Sequence, residues 1–291
     1  MRKTNLIWVV VISMILAARL SAQTGVNREI RETINLGDFT AIIYNVEDLK
    51  SGRIHDEMLL KKGNSPAMST MSKSIELYDF NSGDKKAKTK QYMKDINRDG
   101  INDIIIIGYT GLGKCCYQVS IHSLKPVVEE IGRFDMQAVD KFQLKDLDGD
   151  SIPEFIFRDS DFGKWNTPTY EDSPMPLLIW KYDGKSYRVA NYKFSKYLLK
   201  QISTKELAEL PDLAKASNAT YDPNDDYLKY PSPKLWGVML DYIYAGKPEM
   251  AEKVFDDNWP SKIPHKDIFY QNFQARLKKG LYWKQLENSN F

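Results

Sequence analysis

The pattern of apolar and polar residues reads as β-strand from about Gly37 to Ile202, and the period becomes that of a helix from about Thr204. Residues 39–44 and 74–80 carry the β-branched and aromatic content of strands, and 117–124 and 142–145 alternate strictly, as half-buried strands do. The run 177–182, the pair Asp183-Gly184 and the run 186–190 predict a hairpin, because Asp-Gly supplies the positive φ of its tight turn. Asn81 to Asp84 reads as a turn, and the lysine-rich stretch 85–90 as a solvated loop.

The helical part begins with a short helix over 204–216. Residues 218–233, with Pro223, Pro231 and Pro233, follow as a linker or packed loop. Leu235, Met239, Tyr242 and Ile243 then fall on one helical face that ends at Gly246, a natural C′ residue. Pro248 opens a helix carrying Met250, Ala251, Val254 and Phe255, which stops at Trp259-Pro260. A last helix over 265–279 puts Phe269, Phe273 and Leu277 on one stripe before Gly280. Trp236, Trp259 and Trp283 read as core. The expected class is α+β: a mainly antiparallel β domain over 30–202, then a small helical domain over 203–291.

The first 22 residues change the charge argument. Arg2 and Lys3 precede an apolar run closed by Arg19, with Ala17, Ala18, Ser21 and Ala22 at its end. This is the layout of a secretory leader, shorter than the roughly 20 apolar residues a spanning helix needs. Cleavage is expected after Ala22, which places the mature chain outside the cytoplasm as a secreted or periplasmic protein. Taking Arg2, Lys3 and Arg19 from 41 basic residues leaves 38 against 39 acidic ones, a net charge near −1. No electrostatic footprint for nucleic acid remains.

The two cysteines, Cys115 and Cys116, are adjacent. They can form a strained vicinal ring or intermolecular bonds, not an ordinary staple. The expectation is two reduced or weakly reactive thiols, with the vicinal disulfide as the alternative.

Two acidic loops carry the candidate chemistry. One holds Asp95, Asn97, Asp99 and Asp103 at positions 1, 3, 5 and 9; the other holds Asp146, Asp148, Asp150 and Glu154 at the same positions. Calcium takes roughly six to eight oxygens, and such a loop supplies most of them when the position-7 carbonyl, of Ile101 or Ile152, joins the set. Gly100 suits the sharp turn at position 6; Ser151 replaces glycine in the second loop, where a left-handed conformation costs about 1 kcal/mol. A strand-like run follows each loop, so neither is an EF-hand, whose loop is longer and flanked by helices. Without metal, the same residues are favoured in plain Asx-turns.

The loops start 51 residues apart, at Asp95 and Asp146, about one four-stranded blade. Asp95 to Asp103 with the run 104–108, and Asp146 to Glu154 with 155–157, resemble the FG-GAP/VCBS-type calcium repeats of integrin-like β-propellers over roughly residues 90–190. The resemblance implies blade-type β units and structural calcium, one or two ions, in a module that binds a protein or glycan. About 165 β residues make only some three blades, too few for a closed propeller of four or more. A partial propeller-like array, or a sandwich of such units, is therefore expected.

Competing motifs are weaker. Gly108 to Lys114 fits the spacing of a phosphate-binding loop, but Cys115 stands where a hydroxyl would hold magnesium, and 117–124 alternates like a strand. His55, His122 and His265 are isolated, and no Gly-x-Ser-x-Gly elbow occurs. Cys115 and His122, seven residues apart on or near one strand, would not ordinarily meet, and carboxylate pairs such as Asp159 and Asp161 read as turn residues. The expected role is a non-catalytic calcium-binding module at the cell envelope or outside the cell, engaging a protein or glycan through loops such as 158–176. The alternative is a secreted hydrolase with structural calcium.

Overall fold

The computed structural model describes residues 25–111 and 116–289, the side chain of Tyr227 excepted. The expected leader over 1–22 lies outside them. The α+β class holds, with antiparallel strands first and helices after.

Strands β1 (Val26–Leu36), β2 (Phe39–Asp48), β3 (Arg53–Lys62) and β4 (Ser65–Ser72) form one sheet in chain order. A second sheet takes β5 (Ser74–Leu77), β6 (Asp103–Tyr109), β7 (Tyr117–Ser123) and β8 (Glu129–Gln137). A third takes β9 (Phe142–Lys145), β10 (Glu154–Arg158), β11 (Leu177–Tyr182) and β12 (Tyr187–Val189). Contacts divide the chain into two compact units. The first runs to Asp95 and resumes over Gly100–Phe134; the second is Ile96–Asp99 with Asp135 onward. The 202/203 boundary drawn from periodicity is thus where strands give way to helices, and the compact units part elsewhere.

In the first unit the alternation of β2 turns Phe39, Ala41 and Ile43 to the interior, where they meet Met58 and Leu60 of β3. Ile75, Leu77, Ile104 and Ile106 from the second sheet complete this core, each such side chain contributing about 1.5–3 kcal/mol by leaving water. Asp56 is buried within it, with Arg31 Nη1 2.6 Å from its Oδ2 and the Ile75 N–H donating to the same oxygen at 2.9 Å. A buried carboxylate persists only when it is satisfied in this way.

In the second unit, Phe155, Ile156 and Phe157 of β10 are all buried, so both faces of that strand are covered. The helices are α1 (Ser195–Leu199), α2 (Thr204–Thr220), α3 (Pro233–Tyr244), α4 (Pro248–Asn258), α5 (Lys266–Lys278) and α6 (Trp283–Asn288). Ser232 caps α3, with Pro233 at its first position, a placement that loses no helical hydrogen bond. Gly246, at φ +74°, closes it as expected, donating to the Ile243 carbonyl at 2.9 Å. Helix α2 runs four residues past the expected end, through Pro211.

Asn191, fully buried, ties sheet to helix. Its Oδ1 accepts from Ile179 N–H at 2.8 Å, and its Nδ2 donates to the carbonyls of Leu177 (2.9 Å) and Tyr244 (3.1 Å). Trp236 is core, as expected, and meets Trp165 edge-on at 5.6 Å. Trp259 and Trp283 are only half-buried.

Candidate metal centre

The two acidic loops share one backbone path. Position 4 is left-handed in both, at Arg98 (φ +63°) and Gly149 (φ +82°), and so is position 6, at Gly100 (φ +84°) and Ser151 (φ +67°). Both place the position-6 N–H on the position-1 carboxylate: Gly100 on Asp95 Oδ2 at 3.0 Å, Ser151 on Asp146 Oδ2 at 2.9 Å. In both, the backbone of the lysine preceding the loop is the antiparallel β partner of the position-9 acid, Lys94 of Asp103 and Lys145 of Glu154. Those acids open β6 and β10 and are fully buried. Ser151 accepts the strained conformation that glycine would have taken freely, and the turn keeps its form.

The second loop is a dense ionic site. Asp146 Oδ1 accepts from Gly149 N–H at 2.7 Å, Asp150 Oδ1 from Ile152 N–H at 2.9 Å, and Glu154 Oε2 from Leu147 N–H at 2.7 Å. Carboxylate oxygens of Asp146, Asp148 and Glu154 all lie within 4.8 Å of one another. Two oxygens across a calcium ion at 2.3–2.6 Å can be at most about 5 Å apart, so these three can share one ion.

Into the same cage β11 sends Lys181, a residue that spacing along the chain did not reveal. Its Nζ lies 2.5 Å from Asp150 Oδ2, 3.1 Å from Asp148 Oδ2 and 3.2 Å from Glu154 Oε1. Lys193 Nζ reaches Asp148 Oδ2 at 2.7 Å. Lys193, with burial opposing and Lys181 assisting, holds Asp148 down to about 2. Lys181 and the Ile152 N–H lower Asp150. Burial raises Glu154 despite the Leu147 N–H and Lys181. Burial also works against the Lys181 ammonium, yet Asp150, Asp148 and Glu154 together hold its pKa above that of an ordinary lysine. The signal that could have found Lys181 is its register: Trp180 pairs with Phe155, which sets the next residue of β11 beside the start of β10.

In the first loop, Asp95 Oδ1 is buried and makes no hydrogen bond among the described residues, nor does Asn97 Nδ2. An orphaned carboxylate oxygen at position 1 fits a cation ligand, since burying it without a partner costs about 1–3 kcal/mol or more. Asn97, itself buried, accepts from Asp99 N–H through Oδ1 at 3.2 Å. Asp99 is exposed, and Ile101 follows the left-handed Gly100 at position 7, as Ile152 follows Ser151. Within the second unit, Arg98 Nε donates to the Ser151 carbonyl at 3.3 Å.

The remaining candidates resolve differently. The segment with phosphate-loop spacing includes 112–115, outside the described residues; β7 follows it, and among the described residues no helix begins there to take phosphate. Cys116 is disulfide-bonded, against the expectation of a reduced thiol; Cys115 lies outside the described residues. His122 is buried, 3.0 Å from Ser120 Oγ, and burial pushes its imidazole down to about 4. Asp159 is buried beneath Tyr244, whose hydroxyl donates to its Oδ2 at 2.7 Å; burial and then the Asp161 charge raise its pKa. In the loop 158–176, Phe162 and Trp165 pack inward against Phe273 and Phe269, so these aromatic side chains serve the core and not an outer face.

No protein-family model matches the chain, and none of the curated proteins or solved structures matches it either.

Proposed function

We propose that this chain is a non-catalytic β module working outside the cytoplasm, whose acidic loops take calcium as a structural ion and whose surface engages a protein or glycan. The observation that carries the reading is the repeated loop geometry. Two stretches 51 residues apart share left-handed residues at positions 4 and 6, the same N–H to carboxylate bond, and a buried acid opening the next strand. Plain Asx-turns need no such buried position-9 acid. The three sheets, each made of four consecutive strands, support blade-type units, with calcium loops entering the second strand of two of them.

The loops differ in how calcium would enter. At the first, the buried Asp95 Oδ1 makes no hydrogen bond among the described residues and would be a calcium ligand. At the second, Lys181 already supplies the positive charge, and calcium would displace its ammonium from Asp148 and Glu154. Isothermal titration of the full chain with calcium tests this. Binding of one ion or two, lost at the first loop in Asp95→Asn and at the second in Asp146→Asn, supports the reading. No heat of binding at millimolar calcium would remove it.

A further inference from the structure

Away from the acidic loops, the second unit contains three adjoining cavities of about 610, 260 and 710 Å³, and Arg158, the last residue of β10, lines all three. Glu206 of α2 and Asp241 of α3 line the first two beside it. One guanidinium N–H of Arg158 is used, donating to the Met175 carbonyl at 2.7 Å. The carboxylates of Glu206 and Asp241 make no hydrogen bond and no ion pair among the described residues.

Two carboxylates and a guanidinium therefore face one cleft without pairing with one another. Inside a protein, opposite charges close enough to meet gain from doing so, and a desolvated carboxylate left alone is costly. Burial raises Asp241 to about 6, with Arg158 opposing and Glu206 reinforcing. The other cation on the wall, Lys234, is engaged by Glu209 at 2.6 Å, whereas Asp172 adds negative charge at the rim of the larger of the two clefts that Asp241 lines. The balance favours a ligand with a cationic group, and Arg158 supplies a fork for a carboxylate beside it. Pro174, Pro233 and Val238 give that cavity an apolar wall, and its volume suits a small molecule.

We propose that this cleft binds a small zwitterion, a free amino acid or a dipeptide, with its ammonium held by Asp241 and Glu206 and its carboxylate by Arg158. The proposal rests on the second unit alone and is independent of calcium.

The test is a thermal-shift and calorimetric panel on the full chain, using the proteinogenic L-amino acids, D-alanine, D-glutamate and the dipeptide Ala-Ala at millimolar concentration. At least one member is expected to bind, and its N-acetyl and amide derivatives to bind about tenfold or more weakly, because each removes one charge of the pair. Free amino acids and dipeptides are separate arms, so the panel tells one source from the other. Asp241→Asn and Arg158→Met should each weaken binding by a similar factor, with the melting of the unliganded variants confirming that they fold. No binding across the panel would overturn the proposal, as would binding that Asp241→Asn leaves unchanged. The calcium response of the acidic loops, measured alongside, stays intact in either variant and separates failure here from failure there.

Discussion

Lys181 Nζ lies 2.5 Å from Asp150 Oδ2, and the same ammonium reaches the buried Glu154 at 3.2 Å. It is a built-in cation at the position where three acids converge. Removing it should destabilise the chain more than losing a surface pair, which is worth about 0–1 kcal/mol, because Glu154 is left buried and unpaired. Lys181→Met is expected to lose about 2–3 kcal/mol in chelator, read by urea unfolding. Excess calcium should restore half of that or more. A deficit that calcium leaves untouched would mean the ion does not substitute for the ammonium.

His122 gives an acid-side prediction. Burial holds its pKa near 4, against 6.5 for an ordinary histidine, with Glu130 raising and Arg133 lowering it. The unfolded chain therefore takes the proton first, so stability is full above pH about 6.5 and falls as the pH drops toward 4. The contribution is on the order of 3 kcal/mol at the acid end. His122→Gln should flatten this part of the profile, measured as the difference between variant and wild type at pH 7 and pH 4.5. Parallel profiles would exclude His122 as the source.

Asp241 has the opposite sign. Its folded pKa, near 6, exceeds the ordinary 3.8, so the folded state binds the proton more tightly and stability falls as pH rises from about 4 to about 6. In the absence of ligand, Asp241→Asn is expected to stabilise the chain at pH 7.5 by up to roughly 3 kcal/mol and to have little effect below pH 4. Equal effects at both pH values would show that the charge of Asp241 is not what costs stability.

Gly246 tests the helical layer. Its φ is +74°, and a Cβ there would lie 2.0 Å from Cδ1 of Tyr192. Gly246→Ala combines left-handed strain of about 1–2 kcal/mol with an overpacking cost of 1–3 kcal/mol. A loss of about 2–5 kcal/mol in urea unfolding is expected, and a loss under about 1 would mean that the Tyr192 ring moves aside freely.

Local chemistry was legible in the sequence where the backbone itself imposes it. Asp183-Gly184 makes its turn, with Gly184 at φ +96° and the Lys185 N–H on Asp183 Oδ1 at 2.9 Å. Gly246 ends its helix for the same reason. The strand β1 was not legible, because most of its residues are exposed and leave no alternation to read; it is held by its ladder with β2. At the second loop the acids could be read from spacing, but Lys181 comes from a different strand and reaches them through sheet register, which local patterning does not encode. The same holds for Arg158, Glu206 and Asp241, assembled from β10, α2 and α3. Phe162 and Trp165, in the loop read as a partner surface, have their rings against Phe273 and Phe269, a packing that local patterning does not encode either.

The claim that the acidic loops are calcium sites is tested most directly by melting the full chain in chelator and in excess calcium, with the double variant Asp95→Asn/Asp146→Asn alongside. An ion bound only by the folded state, at about a hundred times its Kd, adds about 2.7 kcal/mol, or a Tm rise of roughly 5 °C for a chain of this size. The wild type is expected to show that rise and the double variant to lose it. A wild-type Tm that is the same in calcium and in chelator would contradict the account.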